Sequence, residues 1–236
     1  MKHETLTELN AERAARRAVI VVTDVASGEQ RLIKAADIAA DPLHAELDKH
    51  LRMGKSSMIE VDGRKLFLNV YAPTARLVII GAVHISQALA PLAQSLGYDV
   101  YVIDPRTAFA SPERFPDVPL FADWPDVALP PLNVDRYTAF VAVTHDPKID
   151  DPALLHALSR DCFYIGALGS RKTHAKRLDR LRVQGAGEDA LARICAPIGL
   201  HIGAVSPAEI AVAIMAEITA RLRLPADAQP KAKSAA

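Results

Sequence analysis

An α/β chain, in which a small α+β unit precedes a doubly wound parallel sheet, is predicted by three observations. From Arg76 onward, apolar runs of strand length alternate with amphipathic helical stretches on the spacing of repeated βαβ units. Those runs are apolar on both faces, as in strands covered by helices on two sides. Before Ala72-Pro73-Thr74 the segments are short and show no such alternation. The predicted division is a small α+β domain over residues 1–73, a doubly wound domain over 74–225, and a tail over 226–236. The tail is Ala, Pro and Lys without apolar periodicity and is expected to be disordered.

In chain order, the first 17 residues read as a helical or frayed lead-in, expected to be poorly ordered like the tail. RAVIVVTDV, RLIKA, SSMIEVDG and RKLFLNVY read as strands, with DPLHAELDKHL as a helix between the second and third. Asp62-Gly63 stands between two extended runs and signals a hairpin, because both residues tolerate positive φ. In the second domain RLVIIG is a strand, HISQALAPLAQSLG a helix closing at Gly97, and YDVYVIDPR the next strand. SPERFPDVPLFADWP reads as a Pro-rich connection. YTAFVAVTHD and DCFYIGALGS are further strands separated by the helix DPALLHALS, and KTHAKRLDRLRVQG and SPAEIAVAIMAEITARLR complete the set as helices.

Composition narrows the function. Lys plus Arg and Asp plus Glu balance at 28 each, which gives no global field to attract nucleic acid or a membrane surface. Any anion site must be local. Cys162 and Cys195 form neither a CxxC pair nor a Cys/His cluster, so no disulfide framework and no metal site is expected. The start of the chain lacks the apolar run of a signal peptide, and no stretch has the length of a membrane span. A cytoplasmic, soluble protein is expected.

The candidate site residues gather where strands run into helices. In a dinucleotide fingerprint one glycine makes the turn, a second admits the pyrophosphate and a third packs helix on strand. Those positions here are Gly81, Val83 and Ser86, so only the turn glycine is present and the usual NAD pose is obstructed. The plain alternative is a strand-to-helix turn without a ligand. Asp104 follows the second strand, where an acid can bond ribose hydroxyls. His84 opens the first helix. Thr144-His145-Asp146 follows a later strand, with a carboxylate able to orient the ring; the alternative is that Asp146 only caps the next segment.

Chemically sharpest is ALGSRKTHAKRLDRL, where a strand ends at Gly169, Ser170 caps, and Arg171 and Lys172 occupy a first helical turn. Basic residues there oppose the helix dipole, which an anion would relieve. A solvated basic face is the competing reading, since Lys176, Arg177, Arg180 and Arg182 continue the charge. Near the C-terminus, Pro197, Gly199 and Gly203 shape a loop before the helix start Ser206-Pro207-Ala208-Glu209. Cys195 within it reads as a thiol ligand or nucleophile or, more simply, as a small buried apolar residue.

Taken together, RLVIIGAVHISQALAPLAQSLGYDVYVIDPR, FASPERFPD, VAVTHD, YIGALGSRKTHAKRL and ICAPIGLHIGAVSPAEIAVAIMAEI resemble the XdhC/CoxI family, in order from Arg76 to Glu217. Its members are accessory factors of xanthine dehydrogenase, carbon monoxide dehydrogenase and related molybdenum hydroxylases. The resemblance implies a C-terminal Rossmann-like domain. It also implies binding of molybdenum cofactor, as molybdopterin or its dinucleotide form, with protection, sulfuration and insertion into an apo-hydroxylase client. A cysteine desulfurase or other sulfurase is the further partner implied, and a homodimer the implied assembly. Gly169, Ser170, Arg171 and Lys172 would hold the phosphate, with Asp104 and Arg106 on the other arm of the crevice. Gly81, His84, Thr144, His145, Asp146, Cys195 and Gly199 would line the remainder. The family's turn is usually GAGH where this chain has GAVH, and His and Asp commonly stand at the positions of Cys195 and His201. Residues 18–71 keep only a faint echo of the family's N-terminal domain. A non-catalytic cofactor chaperone is the leading reading, with no catalytic residue assigned. An NAD(P)-dependent oxidoreductase and a nucleotide-sensing regulatory module are the alternatives.

Overall fold

Residues 2–229 are described by the structure, a computed structural model, and the chain divides into two compact units between Pro73 and Thr74. The N-terminal unit begins with α1 (His3–Ala14), an ordered helix rather than a frayed lead-in: Leu9 and Glu12 are buried on it. Glu12 receives the Arg17 guanidinium at 2.6 and 3.0 Å. Then come β1 (Val19–Asp24), β2 (Gln30–Lys34), α2 (His44–Met53), β3 (Ser57–Val61) and β4 (Arg64–Tyr71). The strands form an antiparallel sheet in the order β2-β1-β4-β3. The β3–β4 hairpin turns through Asp62 at φ +50° and Gly63 at φ +74°, the backbone that Asp-Gly predicts. Ile20, Val22, Ile33, Leu47, Leu66 and Leu68 close one core.

The second unit contains β5 (Arg76–Ile80), α3 (His84–Ser95), β6 (Asp99–Ile103), β7 (Leu120–Phe121), α4 (Pro125–Leu132) and β8 (Thr138–Ala142). It continues with α5 (Pro147–Leu158), β9 (Tyr164–Ala167), α6 (Arg171–Val183), α7 (Glu188–Leu191), β10 (Ile194–Cys195) and α8 (Pro207–Arg223). All six strands are parallel, in the order β10-β9-β8-β5-β6-β7. This is the Rossmann-like arrangement, with the winding reversed between β5 and β8. Alternate residues of β5 feed the two faces. Leu77 and Ile79 pack with α3 and α8, whereas Val78 and Ile80 pack with α4 and α5.

Four elements lie where the sequence reads as connection or loop. α4 starts at Pro125, a position that tolerates proline, but Pro130 and Pro131 near its end read as breakers. β7 and β10 have two residues each and exist through pairing with β6 and β9, not through any pattern of their own. α7 is a single turn. Ala226–Ala228 form a 3-10 turn, and 230–236, the rest of the expected tail, lie outside the described residues.

Candidate functional site

In sheets wound this way, ligands bind beyond the carboxyl ends of the strands where the winding reverses. β5 runs into Gly81, whose φ is +118°. A Cβ there would lie 2.9 Å from Thr144 Cγ2 and 3.2 Å from the Thr144 backbone nitrogen. Only glycine allows this approach. Val83 is extended at the N-cap of α3 and packs partly buried against the core. Ser86, at the place of the fingerprint's third glycine, is buried and donates its hydroxyl to the Gly81 carbonyl at 2.5 Å. The serine thus staples the turn from within. His84 is exposed at the first position of α3.

Asp104 is 0% exposed just past β6. Its carboxylate accepts the Ala82 N–H at 2.8 Å, the Arg106 backbone N–H at 3.0 Å, and Arg106 Nε and Nη2 at 2.8 and 2.7 Å. Burial pushes its pKa up, but the Arg106 guanidinium and the two backbone N–H groups outweigh burial and hold it below the ordinary carboxylate value. Arg114 closes the other side of the turn, donating Nη1 to the carbonyls of Ala82 and Phe109 at 2.8 and 2.7 Å and Nη2 to Gln87 Oε1 at 2.9 Å. Arg106 lies 4.5 Å over the Phe109 ring.

Across the reversal, Thr144 and His145 are gripped by Asp150 in the first turn of α5. Its carboxylate accepts the Thr144 hydroxyl at 2.7 Å, the Thr144 N–H at 3.3 Å and the His145 N–H at 3.1 Å. His145 is exposed at φ +66°. Asp146 caps α5, accepting the Lys148 N–H at 2.9 Å. Burial raises the Asp150 pKa against the pull of the Thr144 bonds and of Arg177.

β9 leads through Gly169 to Ser170, which caps α6 by accepting the Thr173 N–H at 3.2 Å. Arg171 and Lys172 are exposed in the first turn. The basic run behind them is only partly a solvated face. Arg177 is 2% exposed, donates Nη2 to the Leu168 carbonyl at 2.7 Å, and has Nη2 4.0 Å from Asp150 Oδ2. Its Nε and Nη1 have no hydrogen-bond partner among the described residues. Burial lowers the Arg177 pKa against the attraction of Asp150 and Asp151. Arg180 is tied to Asp151 at 2.5 and 3.0 Å, and Arg182 to Glu188 at 2.6 and 3.2 Å. A cleft of about 160 Å³ between α5 and α6 is lined by His145, Asp150, Lys172, Lys176, Arg177 and Arg180, among others.

Cys195 and Gly199 belong to the far edge of the sheet. β10 is separated from β5 by three inter-strand steps of roughly 4.8 Å each. Cys195 is buried, with its sulfur 3.6 Å from Arg221 Nη2, and the next peptide bond, Ala196-Pro197, is cis. The Gly199 N–H and the Tyr164 hydroxyl donate to one oxygen of buried Glu217 at 2.9 and 2.5 Å. A Cβ at Gly199 would meet the α8 backbone at 3.0 Å. The structure therefore gathers Gly81, His84, Asp104, Arg106 and Thr144–Asp146 around the reversal. Gly169–Lys172 stand one strand further out and Cys195 and Gly199 beyond them.

Arg114 and Asp150 are given no role in the sequence reading, and Arg177 enters it only within the basic run read as a solvated face, whereas it is 2% exposed. Arg177 carried a signal, since it sits four residues before buried Leu181 and so repeats on the buried stripe of α6. Arg114 lies within the stretch FASPERFPD, but its contact is not readable there, because its partner Ala82 is 32 residues away. The N-terminal unit has a cavity of its own, about 860 Å³, lined in part by Val22, Asp24, Arg31, Leu43, Arg64 and Leu66, which no motif announced. Among the described residues, no helix is long and apolar enough to cross a membrane.

Comparison with known proteins places these residues in a family. The XdhC Rossmann domain matches residues 77–218. A probable xanthine dehydrogenase subunit from Bacillus subtilis (strain 168) is 34% identical over 154 residues, 65% of this chain and 44% of that protein. The molybdenum cofactor insertion chaperone PaoD of Escherichia coli (strain K12) is 31% identical over 148 residues, 63% of this chain and 40% of that protein. The chain thus spans under half the length of the curated relatives it matches, between 28% and 44%. The crystal structure of a xanthine dehydrogenase from Bacillus halodurans superposes with a TM-score of 0.67 over 93% of this chain and 67% of that one. At 24% identity, that likeness speaks for the fold alone. The chain belongs to the XdhC family, and the crevice at the carboxyl edge of β5, β6, β8 and β9 lies within the family's Rossmann domain.

Proposed function

We propose that this protein is a molybdenum-cofactor-binding accessory factor. It stabilises the cofactor, assists its sulfuration and supports its insertion into an apo molybdenum hydroxylase of the xanthine dehydrogenase or carbon monoxide dehydrogenase type. It acts in the cytoplasm, as a homodimer, between a cysteine desulfurase or similar sulfurase and the client. It carries out no reaction of its own. The observation that carries the reading is the family match over the domain that holds every candidate residue. The relative named as a cofactor insertion chaperone supplies the ligand, and the one named for xanthine dehydrogenase supplies the client class.

Molybdenum cofactor is a pterin dithiolene with a phosphate, in some forms extended to a dinucleotide. The charged end of such a ligand fits the start of α6, where Arg171 and Lys172 are exposed beside N–H groups that already favour an anion. Gly169, Ser170, Arg171 and Lys172 hold the phosphate in this reading. Gly81, His84, Thr144, His145 and Asp146 face the pterin, Asp104 and Arg106 form the opposite wall, and Cys195 and Gly199 close the far end. The engagement of Asp104 by Arg106 and Ala82 weighs against an NAD(P)-dependent oxidoreductase, because a ribose hydroxyl would have to displace an ion pair buried on the Asp104 side. It weighs equally against a nucleotide sensor that reads ribose.

Purified protein incubated separately with molybdenum cofactor and with NAD(H), then gel-filtered, is expected to retain the cofactor. Retention of the nicotinamide alone overturns the reading. Replacing Arg171 and Lys172 together by alanine is expected to weaken cofactor capture at least tenfold, and unchanged affinity removes the phosphate assignment.

A further inference from the structure

The α5–α6 cleft combines features that the family reading does not require. Arg177 lines it while buried, and two of its nitrogens lack a hydrogen-bond partner among the described residues. A buried guanidinium left with unpaired donors is destabilising unless an acceptor reaches it. The nearest carboxylate does not meet that need. Asp150 directs its oxygens to Thr144 and His145 through three hydrogen bonds and stands 4.0 Å from Arg177 Nη2.

Charge on the cleft walls is also unbalanced. Arg180 is neutralised by Asp151 at 2.5 Å, and Arg177 is offset by Asp150. Lys172 and Lys176, one helical turn apart on α6, have no carboxylate within ion-pair distance among the described residues. Two positive charges are thus left over, the complement of a dianion. The volume of about 160 Å³ sets the size of the guest. It corresponds to roughly five waters at about 30 Å³ each, and falls below the roughly 300 Å³ at which pockets begin to enclose a drug-sized ligand. A tetrahedral oxyanion fits within that space.

We infer that this cleft is a phosphate site in which Lys172, Lys176 and buried Arg177 hold a dianionic phosphate, either free or as the terminal group of a larger ligand. It extends the anion site from the helix start at Gly169–Lys172 along the α5-facing side of α6, and adds Lys176 and Arg177 to it. The proposal rests on the cofactor reading only for the source of the phosphate.

Titration calorimetry of the full chain with inorganic phosphate tests the site without cofactor. Lys172→Ala/Lys176→Ala, two exposed changes that leave the core alone, is expected to weaken phosphate binding at least tenfold. Lys148→Ala, an exposed cation outside the cleft, is expected to leave it unchanged. Arg177→Lys, with its fold checked by circular dichroism, is expected to weaken binding as well. No phosphate binding by the wild type, or equal binding by the double variant, overturns the site. A second arm adds inorganic phosphate to protein loaded with molybdenum cofactor. Displacement supports the cofactor's phosphate as the occupant, and simultaneous retention supports free phosphate in the same cleft. Failure to retain cofactor while phosphate binding stays sensitive to Lys172 and Lys176 defeats the functional reading and leaves the cleft assignment standing.

Discussion

Gly81 and Asp104 decide what the β5–α3 turn can accept. Gly81 is held against Thr144 at a φ that side chains avoid, and the Asp104 carboxylate is filled by Arg106 and Ala82. Gly81→Ala is therefore expected to destabilise the protein by on the order of 1–3 kcal/mol, from backbone strain and from the contact with Thr144 Cγ2. An unchanged urea midpoint would contradict this. Cys162 gives a second test at the same scale. Burial pushes its thiol up to about 12, so in the folded protein at pH 8 almost none of it is thiolate, the nucleophilic form. Iodoacetamide labelling followed by peptide mass spectrometry should find Cys162 unmodified in the native protein and modified in guanidinium. Fast native labelling would show that the burial is wrong. Asp104 was visible in the sequence as an acid at the end of a strand, but its engagement was not. Arg106 is only two residues on, yet the sequence does not reveal that its side chain folds back onto the carboxylate.

Elements whose signals are local were readable, and those defined by distant partners were not. SPAE predicted the start of α8, and the structure holds the full reciprocal cap: Ser206 accepts the Glu209 N–H at 3.3 Å, while Glu209 accepts the Ser206 N–H at 2.8 Å. Ser206→Ala is expected to cost about 1 kcal/mol, read as a lower thermal or urea midpoint. The hairpin at Asp62-Gly63 was legible for the same reason. β7 and β10 were not, since each depends on a strand already in place beside it. In the N-terminal unit, Asp24 at the end of β1 takes Arg64 at the start of β4 at 2.6 and 3.0 Å, and this bond, with the N–H groups of Ser27 and Ala26, draws the Asp24 pKa down to about 2. The unfolded value is about 3.9. The folded state thus releases this proton more readily than the unfolded one, and the linked stability is present above about pH 4 and lost as pH falls through 2. Asp24→Asn should flatten that part of the acid-unfolding curve. An unaltered slope between pH 4 and 2 would show that the pair does not contribute.

At the scale of the whole chain, acidic and basic residues balance at 28 each, and every residue proposed for anion binding falls within the family match, residues 77–218. The motifs fall at the carboxyl edge of the sheet because strand ends and helix caps are encoded within a few residues. They did not reveal the α5–α6 cleft, which needs Asp150, Lys176 and Arg177 from two helices brought side by side. Nor did they indicate any task for the N-terminal unit, which has its own core and its own cavity. A unit with its own core can in principle fold alone. We predict that damage to that core separates stability from ligand capture. Leu68 is 0% exposed at the centre of the antiparallel sheet, so Leu68→Ala should cost about 2–5 kcal/mol through lost burial and the cavity it leaves. Denaturation monitored by circular dichroism checks the cost. Gel filtration of the remaining folded protein with molybdenum cofactor should then show the same stoichiometry as wild type, whereas Lys172→Ala/Lys176→Ala should reduce capture with no loss of stability. If Leu68→Ala abolishes capture while the second unit stays folded, the N-terminal unit takes part in the site, and the assignment of binding to residues 77–218 alone is wrong.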